Sequence, residues 1–317
     1  MPSKLAFIFP GQGAQSVGMV DGFLEQFPQF GARYAQAAEA LNLDLLALVT
    51  HGPADELNRT QNTQPALLAA SVAIWDVWNA LAGRRPGLLA GHSFGEYSAL
   101  VCAGALDFKE TIRLVADRGR FMQEAVPAGT GGMAAVLGLD RERLDAVCAH
   151  AAEHETVQCA NLNAPGQIVI SGSTGALERA AQGARSAGAK RVMPLAVSVP
   201  AHSALMRPAA VRFQERIAGV AFTSPEIPVI HNVDVVSHAT PAGIRAALVA
   251  QLECAVRWQE TIEYFAAAGV THVVECGPGK VLSPLVKRCA PHLETFSLSG
   301  PSELRAVLAE LEARFND

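Results

Sequence analysis

The sequence predicts an α/β fold in which a parallel sheet is interrupted by a smaller inserted sheet. Two observations predict it: short apolar runs alternate with helical patterns along most of the chain, and one central stretch changes to a different order of elements. In the first pattern, Leu5–Phe9, Gly87–Ala90, Val229–Ile230 and Val273–Val274 read as buried strands, each followed by a polar or glycine-rich turn. Strands that alternate with helices pair in parallel, and the helices cover both faces of the sheet. In the second pattern, between Met133 and Val199, the order is strand Met133–Leu137, helix Arg141–His154, a strand, an Asn-Ala-Pro-Gly turn at 163–166, strand Gln167–Ser171, helix Ala176–Ala187 and strand Arg191–Val197. That βαββαβ order is the ferredoxin-like pattern. Gly129, Gly131 and Gly132 precede it and Pro200 follows it, so residues 131–198 read as a subdomain set into a core formed by 1–130 and 199–317.

Composition narrows the function before any motif does. The chain has 317 residues, half of them apolar and 17% charged, which provides for a large core and excludes disorder as the main state. A net charge of −5 leaves no global footprint for nucleic acid, because binding phosphate needs clustered Lys and Arg. The six cysteines contain no C-x-x-C pair and sit among apolar neighbours, so reduced core thiols are expected, with no disulfide framework and no metal site. His150 and His154 share a predicted helix face without a third ligand, and a solvated helix end is the expected reading. Lys4 precedes too short an apolar run for an export signal, and Asp76 interrupts the Leu67–Leu81 stretch. A cytoplasmic protein outside the membrane is expected.

Gly91-His92-Ser93-Phe94-Gly95 follows a strand and opens a helical pattern. A serine on such a strained elbow projects its Oγ freely, the flanking glycines omit Cβ atoms that would clash, and the helix N-terminus brings backbone N–H groups, that of Phe94 included, toward an oxyanion. An ordinary glycine-rich turn would share the pattern. A serine nucleophile needs a base, and His202 stands out because it follows a strand end and Pro200-Ala201, with His231 as its rival. Structural histidines occupy such positions as often.

Asp107 and Glu110 form a start signal like a capping box, which predicts a helix from about Phe108 to Met122. At 100° per residue Arg118 lies at the centre of the apolar face made by Leu114, Val115, Phe121 and Met122, while Arg113 and Arg120 point away. A buried guanidinium needs an anion, either an internal carboxylate or one that a substrate brings. The glycine turns at Gly11–Gly13 and Gly277–Lys280 miss the spacing of dinucleotide and phosphate loops, and read as close approaches of backbone.

Taken together, Phe9-Pro10-Gly11-Gln12-Gly13-Ala14-Gln15, Gly91-His92-Ser93-Phe94-Gly95-Glu96, Arg118-Gly119-Arg120-Phe121-Met122-Gln123, Val199-Pro200-Ala201-His202 and Glu275-Cys276-Gly277-Pro278-Gly279-Lys280 resemble, in order and over nearly the whole chain, the malonyl-CoA:acyl carrier protein transacylases. The resemblance implies an α/β-hydrolase-like core with a ferredoxin-like subdomain. It implies Ser93 as nucleophile, His202 as base and acid, Gln251 as the residue whose main-chain carbonyl orients the histidine, Arg118 as the ligand of the malonyl carboxylate, and the backbone N–H groups of Gln12 and Phe94 as the oxyanion hole. Malonyl-CoA and acyl carrier protein are the implied partners, with no cofactor and no metal, and a monomer is expected. Phe94 and Ala255 depart from the family's usual Leu and Pro, which bears on the shape of the acyl pocket.

Three other readings stand beside this one. A serine esterase or thioesterase would have no use for Arg118, and a silent binding subunit would not need the Ser93–His202 pair. A related acyltransferase of polyketide synthesis or malonate decarboxylation would share the chemistry. Lys190-Arg191 and Lys287-Arg288 are candidate contacts for an acidic carrier.

Overall fold

The computed structural model describes residues 4–197 and 199–316, so Met1, Ser198 and Asp317, which end the expected segments, lie outside the described residues. Leu5–Phe9 (β1) is apolar throughout and wholly buried, as a central parallel strand should be. It pairs in parallel with Leu88–Gly91 (β2) on one side and, in the carboxyl-terminal part of the chain, with His272–Glu275 (β8) on the other. Val229–Ile230 (β7) lies outside β2 and Glu294–Ser297 (β9) outside β8, which gives the order β7-β2-β1-β8-β9. The strand β9 has no counterpart in the sequence reading: Glu294 and Thr295 break the apolar run, as is usual on a sheet edge. The sequence reading also set the second strand one residue early, at Gly87–Ala90.

A second sheet is antiparallel. Its strands Gly131–Leu137 (β3), Val157–Ala164 (β4), Gln167–Ser173 (β5) and Arg191–Pro194 (β6) lie in the order β4-β5-β3-β6, with the helices Arg141–Ala152 and Thr174–Ser186 between them in sequence. The βαββαβ order therefore holds. The first of these helices stops at Ala152, because Glu153 takes a left-handed backbone (φ +51°), so His154 does not share its face with His150. Among the described residues no three metal-ligating side chains gather there. The chain enters and leaves this sheet at adjacent points, since a Cβ on Gly131 would lie 2.8 Å from the Pro200 ring.

The two sheets are bonded to each other. Val256 donates its N–H to Ala160 of β4 at 2.9 Å and accepts from Leu162 at 2.9 Å, so the stretch after Gln251 runs beside β4 like a short extra strand. Arg288 donates to Gln167 at 2.7 Å and to the Pro165 carbonyl, which makes this candidate carrier contact a tie between the sheets; Lys190, Arg191 and Lys287 are exposed.

The helix Thr60–Ala80 is buried on nearly every side and forms the middle of the largest apolar cluster. Against it packs Phe108–Glu124, two residues longer than expected. Its N-cap is as expected on one side, with Asp107 Oδ1 accepting from Glu110 N at 2.9 Å; the Glu110 carboxylate instead meets Arg216 at 2.7 Å. All six cysteines are free, but Cys254 is exposed in the turn after Gln251, so the expectation of core thiols fails there. Among the described residues no helix is long and apolar enough to cross a membrane.

Candidate active site

The carboxyl ends of β1 and β2 point to one place, as ligand sites of parallel sheets do. Behind β2 the chain turns at Ser93 (φ +52°) straight into the helix Gly95–Cys102. Both flanking glycines are obligatory here. A Cβ at Gly91 would lie 2.0 Å from the Gly95 carbonyl carbon, and one at Gly95 would lie 2.4 Å from the Phe9 oxygen. The Ser93 N–H is held by Asn232 Oδ1 at 2.8 Å, and the Asn232 amide nitrogen donates to Gly91 O at 2.7 Å. Asn232 thus ties the turn down at the serine N–H and at the carbonyl two residues before it.

Ser93 Oγ lies 2.7 Å from His202 Nε2, and His202 Nδ1 lies 2.7 Å from the Gln251 carbonyl oxygen. A carbonyl only accepts, so Nδ1 carries the proton and Nε2 is left bare toward the hydroxyl. Burial pushes the His202 pKa down to about 3, the Arg118 charge pushes the same way, and the bond to Gln251 only partly offsets them. The ring is therefore neutral near pH 7 and can take a proton from Ser93 Oγ. The rival, His231, is elsewhere: its Nδ1 meets Glu96 Oε1 at 2.5 Å in a fully buried pair. Burial opposes a charge on His231, but Glu96 outweighs it and raises the pKa.

Arg118 is 1% exposed. Its Nη1 donates to Gln64 Oε1 at 3.1 Å and its Nη2 to Gln251 Oε1 at 2.9 Å, and the guanidinium lies 5.6 Å from the centre of the Tyr97 ring. Its neighbours on the same helix contrast with it, since Arg113 and Arg120 are exposed and paired with Glu110 and Asp117. The buried arginine is met by amide oxygens and the exposed ones by carboxylates. Burial lowers the Arg118 pKa from its usual value.

Gln12, Gln64, His92, Ser93, Phe94, Arg118, Asn161 and His202 all line one cavity of about 120 Å³, closed on its other side by Met133, Leu195, Val197 and Val199. An outer pocket of about 620 Å³ shares Gln12 and Val197 with it. Ser93, His202, Arg118, Gln12 and Phe94 thus border this cavity and Gln251 holds two of them, while His231 and the candidate carrier contacts lie away from it. Sequence reasoning missed Gln64, Asn232, Glu96 and Gln158. Only Glu96 left a signal, as a carboxylate in the first turn of an otherwise apolar helix. Gln158, on β4, donates to the His202 and Glu253 carbonyls at 3.3 and 3.2 Å and accepts from Ala204 N at 3.1 Å.

Residues 6–295 match the family model described as acyl transferase domain. The malonyl CoA-acyl carrier protein transacylase of Salmonella typhimurium is 50% identical over 308 residues, covering 97% of this chain and 100% of the relative. Among solved structures, an acyl carrier protein S-malonyltransferase from Vibrio cholerae superposes with a TM-score of 0.95 at 52% identity, covering 96% of this chain and 100% of that one. A malonyl-transacylase solved in complex with a type II PKS acyl-carrier protein superposes with a TM-score of 0.96 at 49% identity, over 97% and 100% of the two chains.

Proposed function

The chain belongs to the acyl transferase domain family, and from that premise we propose that it moves a malonyl group from malonyl-CoA to the phosphopantetheine thiol of acyl carrier protein, supplying fatty acid synthesis. The intermediate is a malonyl ester of Ser93. His202 Nε2 takes the Oγ proton as Oγ attacks the thioester carbonyl carbon. The backbone N–H groups of Phe94 and Gln12 meet the oxyanion. Its collapse breaks the C–S bond, and the coenzyme A thiolate leaves with the proton from His202. The carrier thiol then gives its proton to His202 and attacks the ester; the C–Oγ bond breaks, and Ser93 recovers the proton.

Gln251 holds the imidazole through a neutral carbonyl, which orients the ring without stabilising its charged form as a carboxylate would. That suits a transfer between two thioesters of similar energy. The outer pocket has room for the pantetheine arm that both thioesters carry.

The observation that carries this reading is Arg118, a buried guanidinium met by two amide oxygens on the cavity that Ser93 and His202 share. A malonyl carboxylate supplies the missing anion, and a neutral acyl group does not. We read 1–130 and 199–317 as an α/β-hydrolase-like core and 131–198 as a ferredoxin-like insert, supported by the strand order β4-β5-β3-β6. The protein acts as a cytoplasmic monomer with no cofactor beyond its thioester substrate.

Intact-mass measurement after mixing with malonyl-CoA tests the scheme. A malonyl adduct discharged by acyl carrier protein is expected, whereas an adduct lost to water at the same rate without carrier would make the protein a hydrolase. Arg118→Ala should lower malonyl transfer about 100-fold or more, because losing one partner of a buried ion pair costs about 3–5 kcal/mol, and should spare acetyl transfer. An equal fall for both acyl groups would make Arg118 a structural cation.

A further inference from the structure

A buried carboxylate beside Ser93 plays no part in the chemistry of transfer. Glu96 lies three residues after Ser93, in the first turn of the helix Gly95–Cys102, and its side chain is 1% exposed. Both of its oxygens are engaged. Oε1 accepts from His231 Nδ1, while Oε2 accepts from Asn232 N at 3.0 Å and from Gln251 Nε2 at 2.8 Å. These two partners are the residues that hold the site together: Asn232 grips the Ser93 N–H and the Gly91 carbonyl, and Gln251 reaches both Arg118 and, through Nε2, the Ser93 carbonyl at 2.9 Å.

The chemistry of the row Arg118, Gln251, Glu96 allows one arrangement. A guanidinium only donates and an ionised carboxylate only accepts, so an amide between them must turn its oxygen to the first and its nitrogen to the second. Rotated by half a turn, the same amide would set two donors against each other at Arg118 and two acceptors against each other at Glu96. We propose that Glu96 is a specificity-determining positioning residue, which orients the Gln251 amide so that Arg118 is held at the acyl cavity with its charge free for an acyl carboxylate. This rests on the malonyl-transfer reading.

The buried partner His231 completes the device. Its imidazole faces Glu96 and Asp234 and packs on the His238 ring at 5.2 Å between centroids, and the carboxylates raise its pKa. The Glu96 charge is then answered locally by His231, and one amide group separates that charge from the guanidinium. If Glu96 touched Arg118 directly, the internal ion pair would compete with the substrate for the cation. With Gln251 between them, Arg118 is positioned by an anion without being neutralised by it.

Glu96→Gln tests the proposal, because it keeps the shape but replaces two charged acceptor oxygens with one neutral acceptor and a donor, which weakens the hold on the Gln251 amide. Values of kcat/KM for malonyl-CoA and acetyl-CoA should be measured on wild type and variant with one carrier protein, alongside thermal melts. The malonyl-to-acetyl ratio is expected to fall about tenfold or more, as befits the loss of a hydrogen bond to a charged group. A ratio equal to that of wild type overturns the proposal even if both rates drop, since a merely structural role lowers them together. Wild type that fails to transfer malonyl at all would instead sink the functional reading. Should Glu96→Gln melt below the assay temperature, Gln251→Met serves in its place: it keeps the side-chain length and the main-chain bond to His202 but removes the amide. The same loss of preference is expected, and an unchanged ratio overturns the proposal.

Discussion

Ser93 and His202 both hold a left-handed backbone, at φ +52° and +58°, but different forces keep them there. At Ser93 the cause is local. The turn is forced by β2, by the helix that starts two residues later, and by glycines whose missing Cβ atoms let strand, turn and helix overlap. At His202 the supports come from far along the chain: the Gln251 carbonyl fixes the ring, and Gln158 on the antiparallel sheet bonds the His202 carbonyl and the Ala204 N–H that follows it. One local contact adds to these, from Ser203 Oγ to the Pro200 carbonyl at 2.7 Å. The proposed nucleophile is thus placed by short-range sterics and its proposed base by a convergence of loops. Damage to the elbow should therefore register as lost folding, and damage around the histidine as lost rate.

Four measurements can break or sharpen that contrast. The largest effect is expected from Ser93→Ala, which removes the oxygen proposed to carry the acyl group while leaving the turn intact. Transfer should fall roughly 10³-fold or more with an unchanged melting temperature, and intact mass should show no adduct. Normal turnover in this variant would remove the serine from the mechanism.

Next comes Gly95→Ala. The new methyl group would lie 2.4 Å from Phe9 O and 2.7 Å from Pro10 O, both backbone atoms of the central strand and its exit. Overpacking of this kind costs about 1–3 kcal/mol or more, read as a lower urea midpoint at unchanged slope. A midpoint equal to that of wild type would show that the elbow is not sterically locked.

Gln158→Ala attacks the other half. It deletes two hydrogen bonds to the histidine loop and one to the turn after Gln251, and leaves that turn's bond to β4 through Val256 in place. A fall in kcat of about tenfold is expected, with little change in melting temperature. If the melting temperature falls instead and the rate per folded molecule holds, the loop is scaffold rather than a positioning device.

The smallest effect concerns pH. With the His202 pKa pushed to about 3 by burial and by Arg118, the base remains free through mildly acid conditions. The malonylation half-reaction should therefore show no His202 limb between pH 5 and 8. Stability carries the opposite signature. The unfolded histidine binds a proton near its ordinary value of about 6.5, whereas the folded one resists until about pH 3, so the unfolded state binds more protons in between. Stability is retained above pH 6.5 and is lost as pH falls toward 3, by about 1 kcal/mol per pH unit. Urea midpoints at pH 6.5 and 5 on wild type and His202→Gln isolate this: the wild type should lose more. Equal losses would mean that the ring is already charged in the folded protein.

Much of the site could be read from residues in order along the chain. The G-x-S-x-G elbow is a local steric demand, and Arg118 was found because helical periodicity puts it among Leu114, Val115, Phe121 and Met122, where it is now seen to be buried. The βαββαβ order of the second sheet was legible because each of its elements carries its own period and turn residues. By contrast β9 was invisible, since an edge strand of four residues with polar members has no period to detect.

Hydropathy and turn chemistry act between neighbours, so the amino-acid order alone was enough to place a serine on an elbow and to sink an arginine into an apolar helix face. Which groups would answer that arginine was not written there. Gln64 lies 54 residues away from it and Gln251 lies 133 away, while Gln251 is 158 residues from the Ser93 carbonyl it also binds. Glutamine is common on helices and turns for reasons unrelated to catalysis, so neither position stands out by type or spacing. Its amide acquires a direction only when a donor and an acceptor lie on either side of it. That happens when the parallel sheet brings the end of β2, the buried helix face and the turn after 250 to one point, and Glu96 then decides which way the amide faces.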